Sequence, residues 1–271
     1  MGTYLEIIPQ EILELIVVPL NNDDLKNLNE VVILNLNYSR MCGYRFGYHL
    51  CKNIDFQAYL KLISIERLKE KLKLRQSIEE LLNIKNLDLH YKQITSIPEE
   101  IGSLQSLQKL DLSYNQLLII PEEIGDLRSL EYLNLSNTKL IYIPRKIGNL
   151  QSLKILDLSN TKLISIPEEI GNLRFLLKLD LNNNQLTSIP KEIGKLKSLQ
   201  YLYLSDNKLT SIPEEIGNLE SLQFLGLSTN QLTSIPKEIG NLHALERLDL
   251  HRNILVQIPK ELDHMKNIIS I

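Results

Sequence analysis

A chain of 271 residues with a formal net charge of −3 and 43% hydrophobic residues is long enough to bury a sizeable core. Lysine and glutamate are interspersed rather than segregated, which argues against a nucleic-acid partner, and no apolar run reaches the length of a membrane span. Two cysteines, Cys42 and Cys51, are too few for disulfide-capped ends and point to an intracellular, cytoplasmic chain with free thiols.

A metal set would have to join Cys42, His49 and Cys51 to a fourth ligand such as His90; two ordinary thiols are the simpler account. The first twenty residues carry Glu6, Glu11, Glu14, Pro9 and Pro19 without a basic lead, unlike a secretory signal. Met1-Gly2 is followed by Glu6 where a myristoylation start favours serine or threonine.

Residues 1–35 have helical character. Pro9 suits a helix start, Ile12, Leu13 and Ile16 form one apolar stripe, and Asp23 or Asp24 can cap a second short helix bearing Leu25 and Leu28. With Ile8-Pro9-Gln10-Glu11-Ile12 followed by Asp24-Leu25-Lys26-Asn27-Leu28, the segment resembles a degenerate F-box. The resemblance implies that Ile8, Pro9, Ile12, Leu13, Ile16, Leu25 and Leu28 grip a Skp1-type adaptor. Pro19 and the absence of any tryptophan depart from that family, and a helical cap shielding the repeats that follow is the alternative.

Residues 36–83 are expected to be a connector followed by a helical N-terminal cap. Tyr38, Tyr44, Phe46 and Tyr48 show no clear period and suit the core of a cap better than a binding patch. From Asp55 to Leu82 the spacing of Leu60, Ile63, Leu68, Leu72, Ile78 and Leu81 is helical. Leu74, Ile78 and Leu81 lie 23 residues before Ile97, Ile101 and Leu104, so the last helix should take the convex place of a zeroth repeat, with Ser77 and Glu80 as a capping box.

From residue 84 to 271 the chain repeats. Leu110, Leu133, Leu156, Leu179, Leu202, Leu225 and Leu248 fall 23 apart, as do eight prolines from Pro98 to Pro259 and seven glycines from Gly102 to Gly240. Alternation in Leu156-Asp157-Leu158 predicts a short strand with one buried face, and the strands should stack in parallel. Asn115, Asn184, Asn207, Asn230 and Asn253 can bond turn backbone as a buried ladder, Thr138 and Thr161 can replace part of it, and Lys92 offers no acceptor. In the Ile-Pro-Glu-Glu-Ile-Gly segment, proline fits a first helical turn, the acids suit the positive end, and glycine is available for a left-handed stop.

The unit LxxLxLxxNxLxxIPxxIGxLxx resembles the leucine-rich repeat family in its 23-residue class, as in the Ras-suppressor and plant Ras-group proteins. That implies an α/β solenoid of eight repeats, with a curved parallel sheet on the concave face and short helical or 3₁₀ turns on the convex face. After Pro259 the segment ELDHMKNIISI has Asp263 where glycine was due, Ile268 and Ile271 in leucine positions, and no polar cap. This end should fray or be buried against another copy, giving a homodimer.

No Ser/His/Asp set, zinc motif or phosphate-cradling loop occurs at a meaningful spacing, so neither an enzyme nor a cofactor is expected. The resemblance implies a scaffold for protein partners on the concave face, or, with the F-box-like segment, a substrate adaptor of a ubiquitin ligase. The variable positions between the framework leucines form two rows, from which Tyr132, Ile155, Lys178, Tyr201, Tyr203, Phe224 and Arg247 are candidate contacts. Tyr201, Tyr203 and Phe224, with Gly226 leaving room, make an aromatic patch, flanked by Arg247, His251 and Arg252. The Ile, Asn and Lys bias points to an AT-rich genome, and the mosaic resembles proteins of large DNA viruses of amoebae, which would place it in a host cytoplasm.

Overall fold

The computed structural model describes residues 56–271. The F-box-like residues Ile8 to Leu28, the aromatics Tyr38 to Tyr48 and both cysteines lie outside the described residues. The chain divides into two compact units, Met1–Glu66 and Arg67–Ile271, and the second carries the repeats.

Helix α1 spans Phe56–Leu72, and α2 spans Ile78–Leu82. Between them Lys73 adopts a left-handed φ of 51°, which ends the first helix. Ser77 caps α2 as the sequence suggests: its hydroxyl accepts the Glu80 N–H at 3.1 Å, and the Glu80 carboxylate accepts the Ser77 N–H at 2.6 Å. Leu81 is fully buried and Leu74 nearly so, in the register of Leu104 and Ile97 one repeat later. Lys71 donates to both oxygens of the buried Glu100 carboxylate at 2.6 and 2.8 Å.

Nine parallel strands then form one sheet in chain order: β1 Asn86–Asp88, β2 Lys109–Asp111, β3 Tyr132–Asn134, β4 Ile155–Asp157, β5 Lys178–Asp180, β6 Tyr201–Tyr203, β7 Phe224–Gly226, β8 Arg247–Asp249 and β9 Ile269–Ser270. In the first eight the central leucine is buried, and its two neighbours face outward in all but β7, whose Gly226 is buried. Pairing is in the 23-residue register, as in Leu156 opposite Leu179. Each fully buried leucine contributes about 1.5–3 kcal/mol relative to exposure, so the stacked leucine rows are the main source of cohesion between repeats.

Opposite the sheet, each repeat makes a five-residue 3₁₀ turn, as in Glu168–Asn172 and Lys191–Lys195. The proline stands one residue before it with extended ψ near 150°, not inside its first turn. The glycines also differ from expectation, because none supplies a left-handed stop. Gly171 sits within its turn, where an added Cβ would come within 2.4 Å of the Glu192 carbonyl oxygen of the next repeat. The missing side chain is therefore what allows adjacent turns to approach. The left-handed position falls instead at Tyr114, Asn137, Asn160, Asn183, Asp206, Thr229 and Arg252, one residue before each ladder asparagine or threonine.

The C-terminal end differs as well. The last 3₁₀ segment runs nine residues, Lys260–Ile268, with Asp263 where the other repeats have glycine, and Leu262 and Met265 close the core. Strand β9 follows, with Ile269 opposite Leu248, so Ile268 and Ile271 do not take the leucine positions, and the sheet has nine strands rather than eight. The final unit is two residues shorter than the period, and the Leu250 N–H still donates to the Ser270 carbonyl at 2.7 Å.

Candidate functional site

The ladder behind the sheet holds its face in place. Asn184 donates to the carbonyls of Leu158 at 2.9 Å and Leu181 at 3.1 Å and accepts the Leu163 N–H at 3.0 Å. Asn115, Asn207, Asn230 and the half-buried Asn253 repeat this arrangement across neighbouring repeats. Thr138 donates only to Leu135 O, and Thr161 donates to Leu158 O and to the Asn184 side chain. At the first position the Lys92 backbone N–H, not its side chain, is used, and it donates to Asn115.

On the outer face of the sheet, strand register sets the order Tyr132, Ile155, Lys178, Tyr201, Phe224, Arg247 in one row. The neighbouring row runs Asp157, Asp180, Tyr203, Gly226, Asp249. Tyr203 and Phe224 meet diagonally, with ring centroids 4.9 Å apart and planes tilted by 34°. An added Cβ on Gly226 would lie 2.9 Å from the Phe224 ring, so the glycine is the floor on which that ring rests. Lys178 Nζ stands 5.0 Å over the Tyr203 ring, and the Arg247 guanidinium 5.7 Å from the Phe224 ring, each within cation–π reach. The result is a line of cation, ring, ring, cation across four strands, with Tyr201 exposed beside it.

The other candidates are placed differently. His251 Nδ1 lies 2.8 Å from the Asp249 carboxylate, whose charge offsets that of the imidazole when it is protonated. Arg252 occupies the left-handed turn at φ 56°, off the strand row. The Tyr132 hydroxyl is pushed above its ordinary pKa by burial, reinforced by the Asp111 and Asp157 charges. Among the described residues no three metal-ligating side chains converge, and no helix is long and apolar enough to cross a membrane.

The Asp180 carboxyl, in this strand row, is pushed upward in pKa. Burial is the main cause, and the Asp157 carboxylate adds to it, against the Asn182 N–H and Lys178, whose Nζ is 3.6 Å away. The folded protein holds this proton more tightly than the unfolded chain. Stability therefore falls as pH rises from the ordinary aspartate range through the raised value, and stays lower above it. Asn134 fills the same row position in β3 and accepts the Ser136 N–H at 3.0 Å, so asparagine fits there. Asp180→Asn is expected to raise the urea midpoint at pH 7, with the difference closing toward about pH 4. A lower midpoint at pH 7 would show that the carboxylate is favourably paired.

Comparison with known proteins agrees with this architecture. A family model described as a leucine-rich repeat region matches residues 48–158, 121–200 and 145–225, together more than half of the chain, and a single Leucine Rich Repeat model matches residues 221–242. No curated protein sequence matches the chain. Among solved structures, a leucine-rich repeat protein of Leptospira interrogans is 36% identical with a TM-score of 0.61, over 73% of this chain and 57% of its own. The plant peptide hormone receptor RGFR1 in complex with RGF2 is 33% identical at a TM-score of 0.59, over 65% of this chain and 30% of the receptor. Internalin C2 of Listeria monocytogenes is 25% identical at 0.63, over 76% and 91%. This chain thus spans little more than half of the Leptospira protein and less than a third of the receptor chain. With nine parallel strands, a 23-residue register and the family model across most of its repeats, the chain belongs to the leucine-rich repeat family.

Proposed function

We propose that this chain is a protein-binding scaffold whose sheet face holds a partner, with Tyr203 and Phe224 at the centre of the contact and Tyr132, Ile155, Lys178, Tyr201 and Arg247 around them. The observation that carries the reading is the Lys178–Tyr203–Phe224–Arg247 line: two rings in contact and presented on a rigid sheet, with cations already fixed at both ends. Aromatic and arginine side chains held this way are the usual anchors of interfaces, because little conformational entropy is lost when a partner covers them. Repeat arrays of this family commonly use such extended faces for proteins, and one similar structure is a receptor in complex with its peptide hormone. The IPxxIG unit supports placement in the 23-residue Ras-suppressor-like class, with repeats over 84–271 and a cap before them.

A second reading rests on residues 1–35, where the pattern Ile8 to Leu28 supports an adaptor role in a ubiquitin ligase. A third contact, with a second copy of the chain, is suggested at the C-terminal end, where Ile254, Val256 and Ile271 are exposed and the sheet ends in the two-residue strand β9.

One capture experiment separates these. The full chain is immobilised and eukaryotic lysate passed over it, with blots for a Skp1-type adaptor and for a tagged second copy. The Tyr203→Ser/Phe224→Ser double variant is expected to lose at least about tenfold of partner capture, two interface anchors being worth more than 1.4 kcal/mol together. Its melting curve should stay unchanged. Equal capture by both proteins would rule out the sheet-face reading. Adaptor retained by the parent and lost on Ile12→Ser/Leu13→Ser would establish the ligase role.

A further inference from the structure

Away from the sheet face, the two residues before the Ile-Pro step differ in character between blocks of repeats, and the last repeat has Val256-Gln257. In four repeats they are Thr95-Ser96, Thr187-Ser188, Thr210-Ser211 and Thr233-Ser234, all exposed. In three consecutive repeats they are Leu118-Ile119, Ile141-Tyr142 and Ile164-Ser165, and the five apolar side chains are 43–54% exposed. These residues are neighbours in space, since the strands of their repeats pair in register and the Ile164 N–H donates to the Ile141 carbonyl at 3.4 Å. Burial of the adjacent Ile120, Ile143 and Ile166 already completes the core, so folding does not require the apolar pairs.

We propose that this flank is a second docking surface, and that its occupant is an amphipathic α-helix of a partner protein, with acidic residues along one border. Spacing favours a helix. Leu118, Ile141 and Ile164 recur once per repeat, at about the strand spacing of 4.8 Å, close to the helical pitch of about 5.4 Å, so apolar residues at i, i+4 and i+7 meet one repeat each. Charge sets the border. Exposed Lys139 and Lys162 stand two residues before Ile141 and Ile164, where five of the other six repeats carry glutamine or isoleucine and the sixth carries Lys208. On the far side the middle repeat has Arg145-Lys146 in place of the acidic pair. The Arg145 guanidinium lies 3.6 Å from the Glu169 carboxylate, and Glu122 accepts the Lys146 N–H at 3.2 Å, so these acids limit the basic area and disfavour an anionic lipid surface. This surface is independent of the sheet-face reading.

The test uses the full chain and a fluorescein-labelled helical peptide with leucines at i, i+4, i+7 and i+11 and glutamates along one side, followed by anisotropy. Binding should weaken at least tenfold in Leu118→Thr/Ile141→Thr/Ile164→Thr, which places at each site the residue that four other repeats carry there, so the fold is retained. It should weaken similarly in Lys139→Glu/Lys162→Glu, which should then favour the lysine-bearing version of the peptide. Tyr203→Ser/Phe224→Ser should bind the peptide as the parent does. The proposal is overturned if the threonine variant binds equally well or the parent not at all. It is also overturned if the patch instead drives self-association in sedimentation velocity, or binds phosphatidylserine vesicles without binding the peptide.

Discussion

Gly171→Ala is expected to lower the unfolding free energy by about 2–3 kcal/mol, read from the urea midpoint, because the new methyl group meets backbone rather than a movable side chain. An added Cβ would lie 2.4 Å from the Glu192 carbonyl oxygen and 3.0 Å from its Cβ, both in the next repeat. Neither atom can turn aside, so the two repeats must separate, and the leucine rows behind them loosen with the turns. Because a repeat array is held by nearest-neighbour interfaces, weakening one in the middle should also lower the m-value, as the halves begin to unfold separately. Gly240→Ala is the internal comparison: its first contact is at 2.9 Å and the next at 3.5 Å, so a smaller loss is expected. Equal losses at both positions would mean that repeat spacing is not what the glycine sets.

The second large effect is expected at Asn207. Its side chain donates to Leu181 O at 2.9 Å and Leu204 O at 3.1 Å and accepts the Leu186 N–H at 3.0 Å, all in buried surroundings. In Asn207→Ala both carbonyls keep a donor, Asn184 on Leu181 O and Asn230 on Leu204 O, but the Leu186 amide loses this acceptor. A buried donor left unpaired costs about 1–3 kcal/mol, and the lost bonds add to that, so a total near 3 kcal/mol is expected in urea unfolding. Asn207→Thr should cost less, since Thr138 and Thr161 occupy the same ladder position with a hydroxyl donating to a carbonyl. If the threonine variant were the less stable of the two, the ladder's contribution would not lie in these hydrogen bonds.

These two residues show where sequence and structure part. Asn207 was legible from spacing alone, because an amide recurring every 23 residues beside buried leucines has few uses other than bonding backbone. Gly171 recurs just as regularly, yet its role was not legible. A glycine can serve through a left-handed φ or through close approach, and only the position of the neighbouring carbonyl distinguishes them. The left-handed site fell to residues as unlike as Tyr114, Asn160 and Thr229, so no composition signal marks it.

The candidate surfaces divide in the same way. The rows on the sheet face followed from period-two alternation, which put Tyr203, Phe224 and Gly226 together before any coordinates. The flank with Leu118, Ile141 and Ile164 carries its signal in the same register, as a departure from Thr-Ser, but only burial showed that those side chains lie outside the core.

What the sequence by itself determined was the repeat, its parallel sheet and the buried leucine and asparagine rows, because a fixed period forces every unit to bury the same face against its neighbours. What only the tertiary structure decided depends on distances between repeats. It set the glycine contact, the approach of Tyr203 to Phe224 under Lys178 and Arg247, and the ninth strand, which forms because a nine-residue 3₁₀ segment brings Ile269, not Ile271, opposite Leu248.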